Sequence, residues 1–332
     1  MTESRDRFRA ALSGDLKSID RLPVIEWASW WHLTLNRWAE EGLKADMSAE
    51  KRFQALGLDP HRQLWFRHTS PACPKPPTQG KGLMKDWESY LKLKPYLYPP
   101  EEIRRVKQIM EDWKTDQSRN IIWFSMDGGF WFPRTLFGIE AHLYSFYDEP
   151  ELYHEILEDL AEYQLKVMDA IYSVCTPVFM TIAEDMSYNK GPMLSKGMFT
   201  EFLKPYYGMV VPYIRSKGTR VIVDSDGDIT EMIPWLMDAG IEGALPLERQ
   251  AGVDVNRLRQ EFGDFILIGG YDKMVMKYGE AAMRQEFERI LPAMKKGKYI
   301  PSVDHQTPPD VSLENYRIYI KLLKEYCAKA VS

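Results

Sequence analysis

A single (β/α)8 TIM barrel is the fold class this sequence predicts, and three observations predict it. Eight short apolar segments, most of them rich in β-branched residues and bounded by Gly, Pro or Asp, recur along the chain. Amphipathic helical stretches separate them. The 332 residues exceed the ~250 such a barrel needs, which leaves room for an N-terminal elaboration and loops over the barrel mouth within one domain, residues 1–332.

The strand candidates, in chain order, are residues 22–27, 63–67, 121–126, 178–183, 219–223, 241–246, 265–269 and 298–303. Short, largely apolar runs suit strands covered on both faces, as parallel strands are. Helices are expected over 150–173, 195–217, 230–239, 278–295 and 311–329, with Pro292 and the Gly-rich turns acting as stops. The first residues, Met1 to Arg7, lead into a charged helix rather than a signal peptide. The surplus of roughly 80 residues over the barrel minimum lies mainly between the first and third strand candidates. There, 71–77, 80–82 and 94–100 read as long loops. A doubly wound open sheet competes, weakened because no Gly-x-Gly-x-x-Gly turn follows an early strand.

Composition narrows the function. Forty-three Lys and Arg against 48 Asp and Glu give a net charge of −5, without the basic footprint of a phosphate-backbone binder, so no nucleic-acid partner is expected. No window of 18 uninterrupted apolar residues suggests a membrane span. Cys73, Cys175 and Cys327 are odd in number and far apart, which suits a reducing cytoplasm and disfavours a Cys-only zinc site. Gly-x-Ser-x-Gly, Walker, His-Glu-x-x-His and Cys-x-x-Cys motifs are all missing, which removes common hydrolase, NTPase, zincin and redox readings.

In a parallel barrel the chemistry belongs at the C-terminal strand ends. The residues there are Glu26, Ser125 and Asp127, Glu184 and Asp185, Asp224 to Asp226, Glu248, Tyr271 and Asp272, and Asp304 and His305. This acidic rim with one histidine suits a hard or borderline cation, or paired acid and base groups. Asp224 and Asp226 can both reach the barrel axis, although one of them can equally cap the next helix. An EF-hand loop is rejected because its twelfth position is Trp235. His305 can be a plain loop histidine held by Asp304, and Glu184-Asp185 can form a rim salt bridge with Lys190 or Arg220. Among the other histidines, His32 sits near the mouth, His61 and His68 flank the second strand, and His142 and His154 look like helix-surface residues.

The chain carries 10 Trp, 18 Tyr and 14 Phe, many of them between Trp27 and Trp131. Inserted helices need some of these for their own core. The rest, with Trp27, Trp30, Trp31 and Trp131 foremost, can wall a pocket for a flat or apolar substrate.

The strand-end segments resemble the uroporphyrinogen decarboxylase superfamily. The likeness runs from Asp20-Arg21-Leu22-Pro23-Val24 to Glu314-Asn315-Tyr316. It is strongest in Glu184-Asp185-Met186 with Gly191-Pro192-Met193-Leu194-Ser195, and in Asp224-Ser225-Asp226-Gly227-Asp228-Ile229. It continues through Gly240-Ile241-Glu242-Gly243-Ala244-Leu245-Pro246-Leu247-Glu248 and Ile268-Gly269-Gly270-Tyr271-Asp272. Porphyrinogen decarboxylases of this superfamily carry Arg-Gln-Ala-Gly-Arg after the first strand to hold substrate carboxylates. Here the segment is Glu26-Trp27-Ala28-Ser29-Trp30-Trp31-His32, so indoles replace the guanidinium forks and tetrapyrrole decarboxylation is disfavoured.

The other main branch contains corrinoid-linked methyltransferases, some with zinc on a His-x-Cys…Cys set. The matching positions here are Asp224, Asp226 and His305, without a thiolate, which fits polarisation of an oxygen better than activation of a thiol. The resemblance therefore implies a methyltransferase that takes the methyl group of an aryl methyl ether (guaiacol, vanillate or veratrole type) to cob(I)alamin on a partner corrinoid protein. On that reading Asp224, Glu184 and His305 are catalytic, and Glu184, Asp224, Asp226 and His305 hold the metal, zinc being one choice. Trp27, Trp30, Trp31, His32, Trp131 and Asp185 contact the small aromatic substrate. The chain has no Asp-x-His-x-x-Gly corrinoid signature of its own. A homodimer is compatible with the sequence. Methyl transfer from a corrinoid to tetrahydrofolate or a thiol, decarboxylation of another aromatic acid near Arg67, Arg134 or Lys190, and non-catalytic ligand binding are the alternatives.

Overall fold

The computed structural model describes residues 3–28, 30–116 and 120–332; Met1, Thr2 and Ser29 of the segments quoted above lie outside the described residues. Among the described residues the strands are β1 (His61–Trp65), β2 (Ile121–Asp127), β3 (Phe179–Ala183), β4 (Ser187–Tyr188), β5 (Gly191–Pro192), β6 (Arg220–Asp224), β7 (Gly243–Leu245), β8 (Ile266–Tyr271) and β9 (Tyr299–Val303). Seven of them form a parallel sheet in the order β1-β2-β3-β6-β7-β8-β9, while β4 and β5 make a small hairpin. Helices cross from each strand to the next, and the sheet curls as a (β/α)-barrel. Strands β2, β3 and β9 are apolar and buried along nearly their whole length, as strands between the barrel interior and a helical jacket must be.

The predicted first strand, 22–27, is not a laddered strand. It is extended and fills the gap between β9 and β1, but it is tied mainly by side chains. The Val24 amide donates to Asp59 Oδ2 at 2.9 Å, and the Asp59 amide returns a bond to the Val24 carbonyl at 2.8 Å. On the other flank the Trp27 indole donates to the Val303 carbonyl at 2.8 Å, and Ser302 Oγ donates to Glu26 Oε1 at 2.8 Å. Pro23 lacks the N–H that a ladder would need, which is one physical reason the stave is pegged rather than paired.

Pro292 does not stop its helix, which runs over Glu280–Lys295. Its ring removes a donor and displaces a turn, and the side chain of Asn256 repairs the break. Asn256 Nδ2 donates to the Arg289 carbonyl at 2.6 Å and its Oδ1 accepts from the Ala293 amide at 3.0 Å. The inserted region between the first stave and β2 contains helices Ala49–Leu56, Trp87–Leu93 and Pro100–Trp113, so the expected loop at 94–100 is partly a single 3-10 turn, Lys94–Tyr96. His142 is not on a helix surface: it is fully buried, 2.9 Å from Tyr153 Oη, and burial together with the charge of Arg134 pushes its pKa down to about 3.

Candidate active site

The register aligns Asp127 with Ala183, Ala183 with Asp224, and Asp224 with Leu245, so strands β2, β3, β6 and β7 end at one level. Above that level lies a cavity of about 380 Å³. It is lined by Asp185, Asp224, Asp226 and His305 and by the indoles of Trp27, Trp65 and Trp131.

The backbone has to bend to bring three carboxylates together. Asp185 takes a left-handed φ of 43°, unusual for a non-glycine residue, directly after the β3 stave. Its Oδ1 accepts from the Asp226 amide at 3.4 Å. Gly227 has φ 83°, and a Cβ there would come within 2.6 Å of the Tyr188 backbone, so the turn that presents Asp226 against the β4–β5 hairpin requires glycine. Single oxygens of Asp185, Asp224 and Asp226 lie within 4.8 Å of one another, and so do ligand atoms of Asp226, Glu248 and His305.

The electrostatics follow from that crowding. Burial, then the charges of Asp185 and Asp226, hold the Asp224 carboxyl well above the usual range, and no side-chain hydrogen bond relieves it. Burial and Asp226 push Asp185 up to about 6. Asp226 Oδ2 lies 3.6 Å from His305 Nε2 and raises the imidazole pKa. A crowded donor set of carboxylates beside an imidazole, with no Lys or Arg in ion-pair contact with the three aspartates among the described residues, fits a hard or borderline divalent cation.

Glu184 behaves differently. It is fully buried and faces the other way, with its carboxylate accepting from the amides of Gly129 (3.0 Å), Phe130 (2.7 Å) and Trp131 (3.3 Å) and from Tyr207 Oη (2.6 Å). Burial pushes it up to about 7 against those four donors. It forms no rim salt bridge: Arg220 pairs with Glu242 instead. Glu184 clamps the turn that leads into helix Trp131–Phe137, and it takes no part in the carboxylate groups that can hold a metal.

Among the expected substrate contacts, Trp27, Trp131 and Asp185 line the cavity. Trp27 also packs edge-on to the His305 ring, with centroids 6.1 Å apart. Trp30 does not reach the mouth: it is buried against Trp38, Phe53 and Tyr316, where it serves as core for the N-terminal helices. Trp31 and His32 are exposed at the start of helix His32–Glu40, outside the cavity. Trp65, one of the aromatic residues expected to wall a pocket, and Gln63, which was not expected there, line the cavity from β1. Strand alternation is the signal that points to them, since residues 63 and 65 share a face. The Trp65 indole donates to Asp127 Oδ1 at 2.9 Å. Behind it, Asp127 Oδ2 lies 3.2 Å from His68 Nδ1, and Gln164 donates to the Asp127 carbonyl at 2.7 Å.

Two buried acids brace the rim. Glu26 accepts from Ser302 Oγ and from Tyr316 Oη (3.0 Å), and burial pushes it up to about 8. Asp304 accepts from the amides of Arg249 (3.0 Å) and Lys273 (3.2 Å) and from Lys273 Nζ (3.1 Å), which ties together the loops after β7, β8 and β9.

Comparison with known proteins agrees with this architecture. Uroporphyrinogen decarboxylases of Campylobacter jejuni subsp. jejuni (strains 81-176, 81116 and ATCC 700819) are 25% identical over 190 residues, which are 55% of this chain and 52% of theirs. The chain thus spans about half the length of the curated relatives it matches. A methyltransferase from Methanosarcina mazei shares the fold, with a TM-score of 0.67 over 98% of this chain and 99% of that one, at 14% identity. The Bacillus subtilis mannanase BCman is more distant, with a TM-score of 0.50, 11% identity, and coverage of 96% and 93%. The sequence model of the uroporphyrinogen decarboxylase (URO-D) family matches residues 134–326, well over half of the chain and most of the rim described above. The chain belongs to the uroporphyrinogen decarboxylase (URO-D) family.

Proposed function

We propose that this protein is a methyltransferase that removes the methyl group of an aryl methyl ether and passes it to the corrinoid of a partner protein. The observation that carries the reading is the convergence of Asp185, Asp224, Asp226 and His305 on a cavity walled by three indoles. The fold shared along both full lengths with a methyltransferase supports it.

The residues divide the work. Trp27, Trp65 and Trp131 present flat apolar faces that select and orient an aromatic ring and exclude water. Asp185, Asp224 and Asp226 are the groups that would hold a divalent cation such as zinc. A cation there supplies Lewis-acid polarisation of the ether oxygen, and the partner's corrinoid supplies the nucleophile. With the cation on Asp185, Asp224 and Asp226, His305 is left free as the acid: Asp226 raises its pKa, and the imidazolium would place a proton on the departing phenolate oxygen as the carbon–oxygen bond breaks with its electron pair on oxygen. Asp226 orients that imidazole, and Glu184 acts at a distance by holding the turn that carries Trp131.

The test is anaerobic spectroscopy of cob(I)alamin or a corrinoid protein with this protein and a panel of methoxyphenols. Loss of the cob(I) absorbance with matching phenol release is expected. Asp224→Ala and His305→Ala should abolish turnover while far-UV circular dichroism stays unchanged. Full activity in both variants refutes the site. No conversion with any carrier by folded, metal-loaded protein refutes the reaction and turns attention to reverse methyl transfer or decarboxylation.

A further inference from the structure

One cation beside the cavity has no acidic partner among the described residues. Arg134 lies in helix Trp131–Phe137, one turn after the residue that walls the cavity. Its guanidinium carbon sits 5.0 Å from the centre of the Trp131 ring. Its hydrogen-bond contact is a long one, from Nη1 to the Asp185 carbonyl at 3.5 Å. Among the described residues no carboxylate comes within ion-pair distance of it. Several other cations around the strand ends are paired: Lys273 with Asp304 at 3.1 Å, Lys277 with Asp310 at 2.9 Å, and Arg289 with Asp254 at 3.0 Å.

A guanidinium has five N–H donors in a planar fork that matches a carboxylate edge to edge. Its place over the Trp131 ring is a cation–π contact, which restrains the fork. Both of its neighbours, Trp131 and Asp185, line the cavity, so Arg134 stands next to the cavity wall. Its field also reaches inside, where it opposes the upward shift of Asp185. A partly buried fork with one weak acceptor is an anion site waiting for its anion.

We infer that Arg134 anchors a carboxylate carried on the aromatic ring of the substrate, so that the preferred substrates are aromatic acids rather than neutral arenes. The inference rests on the reading of the cavity as an aromatic-substrate site and names the substrate class within it. Trp131 then serves twice, as the wall against the ring and as the platform for the cation. Arg134 is a specificity residue on this account, remote from the group that reacts.

The test separates binding from turnover. Intrinsic tryptophan fluorescence is titrated with benzoate and with its neutral isostere benzamide, in wild type, Arg134→Leu and Arg134→Lys. Wild type should prefer benzoate by roughly tenfold or more, as a charge-assisted fork does over a neutral amide. Arg134→Leu should bind the two alike, and Arg134→Lys should fall between. Should Arg134→Leu fail to fold, Arg134→Gln serves in its place. Equal binding of benzoate and benzamide by wild type, or an undiminished preference in the Leu or Gln variant, overturns the inference. An Arg134-dependent benzoate preference without any demethylation keeps the anchor and removes the methyltransferase reading. Demethylation of methoxyphenols without a benzoate preference does the reverse.

Discussion

The clamp built by Glu184 makes Gly128→Ala a severe substitution, although position 128 lies in a loop. A Cβ at 128 would stand 2.1 Å from both Cδ and Oε1 of Glu184 and 2.5 Å from Oε2. A glutamate tip usually swings away from such a contact at little cost. This one is held by three backbone amides and Tyr207, and it is fully buried. Moving it breaks four buried hydrogen bonds and strands their donors, each loss worth ~1 kcal/mol or somewhat more, so a loss of about 3–5 kcal/mol is expected. Urea unfolding followed by circular dichroism measures it. The decisive comparison is the double variant: in a Glu184→Ala background the space is empty, and adding Gly128→Ala should cost under about 1 kcal/mol more, because the two residues share one interaction. A single variant within about 1 kcal/mol of wild type, or strictly additive losses, refutes the clamp.

Three further outcomes follow from the structure. Asn256→Ala leaves the Arg289 carbonyl and the Ala293 amide without their bridge at Pro292, and should lower stability by about 2–3 kcal/mol in the same urea assay. Glu26 titrates at about 8 when folded against an ordinary 4.5, so the native state keeps a proton that the unfolded chain releases. The stability this gives is complete below pH 4.5 and is lost as pH rises from there to about 8; Glu26→Gln should flatten that fall, and parallel pH profiles for the two proteins count against it. Zinc at 100 times its dissociation constant should stabilise wild type by ~2.7 kcal/mol in a thermal melt, and chelation should reverse it. The same addition to Asp224→Asn should do much less, and an equal response places the ion elsewhere.

Much of this fold was legible in the sequence because parallel strands are short, apolar and punctuated. Seven of the eight strand candidates overlap observed strands, and the acid rim falls where the strands end. Residues 22–27 carry the same pattern yet make no ladder, since pattern reports burial and not the partner of each N–H. Residue type likewise named Glu184 and Trp30 without revealing direction. One faces a nest of amides and the other a core of aromatic rings, and both facts depend on segments distant in the chain. Trp65 and Arg134 repeat the point: the sequence brings both near the mouth, and only packing shows the Trp65 indole bonded to Asp127 and the Arg134 guanidinium set over Trp131.

The pegged stave has a consequence for how the cylinder comes apart. Every other junction of the wall is laced by main-chain bonds that fail cooperatively, whereas the closure at 22–28 hangs largely on a few side-chain contacts from Asp59, Ser302 and Trp27. Amides of that segment should exchange with solvent well ahead of their neighbours in β1 and β9. Trp27 rides on the same segment, so the first place the barrel unzips is also one wall of its cavity, and the mouth is hinged along its own seam.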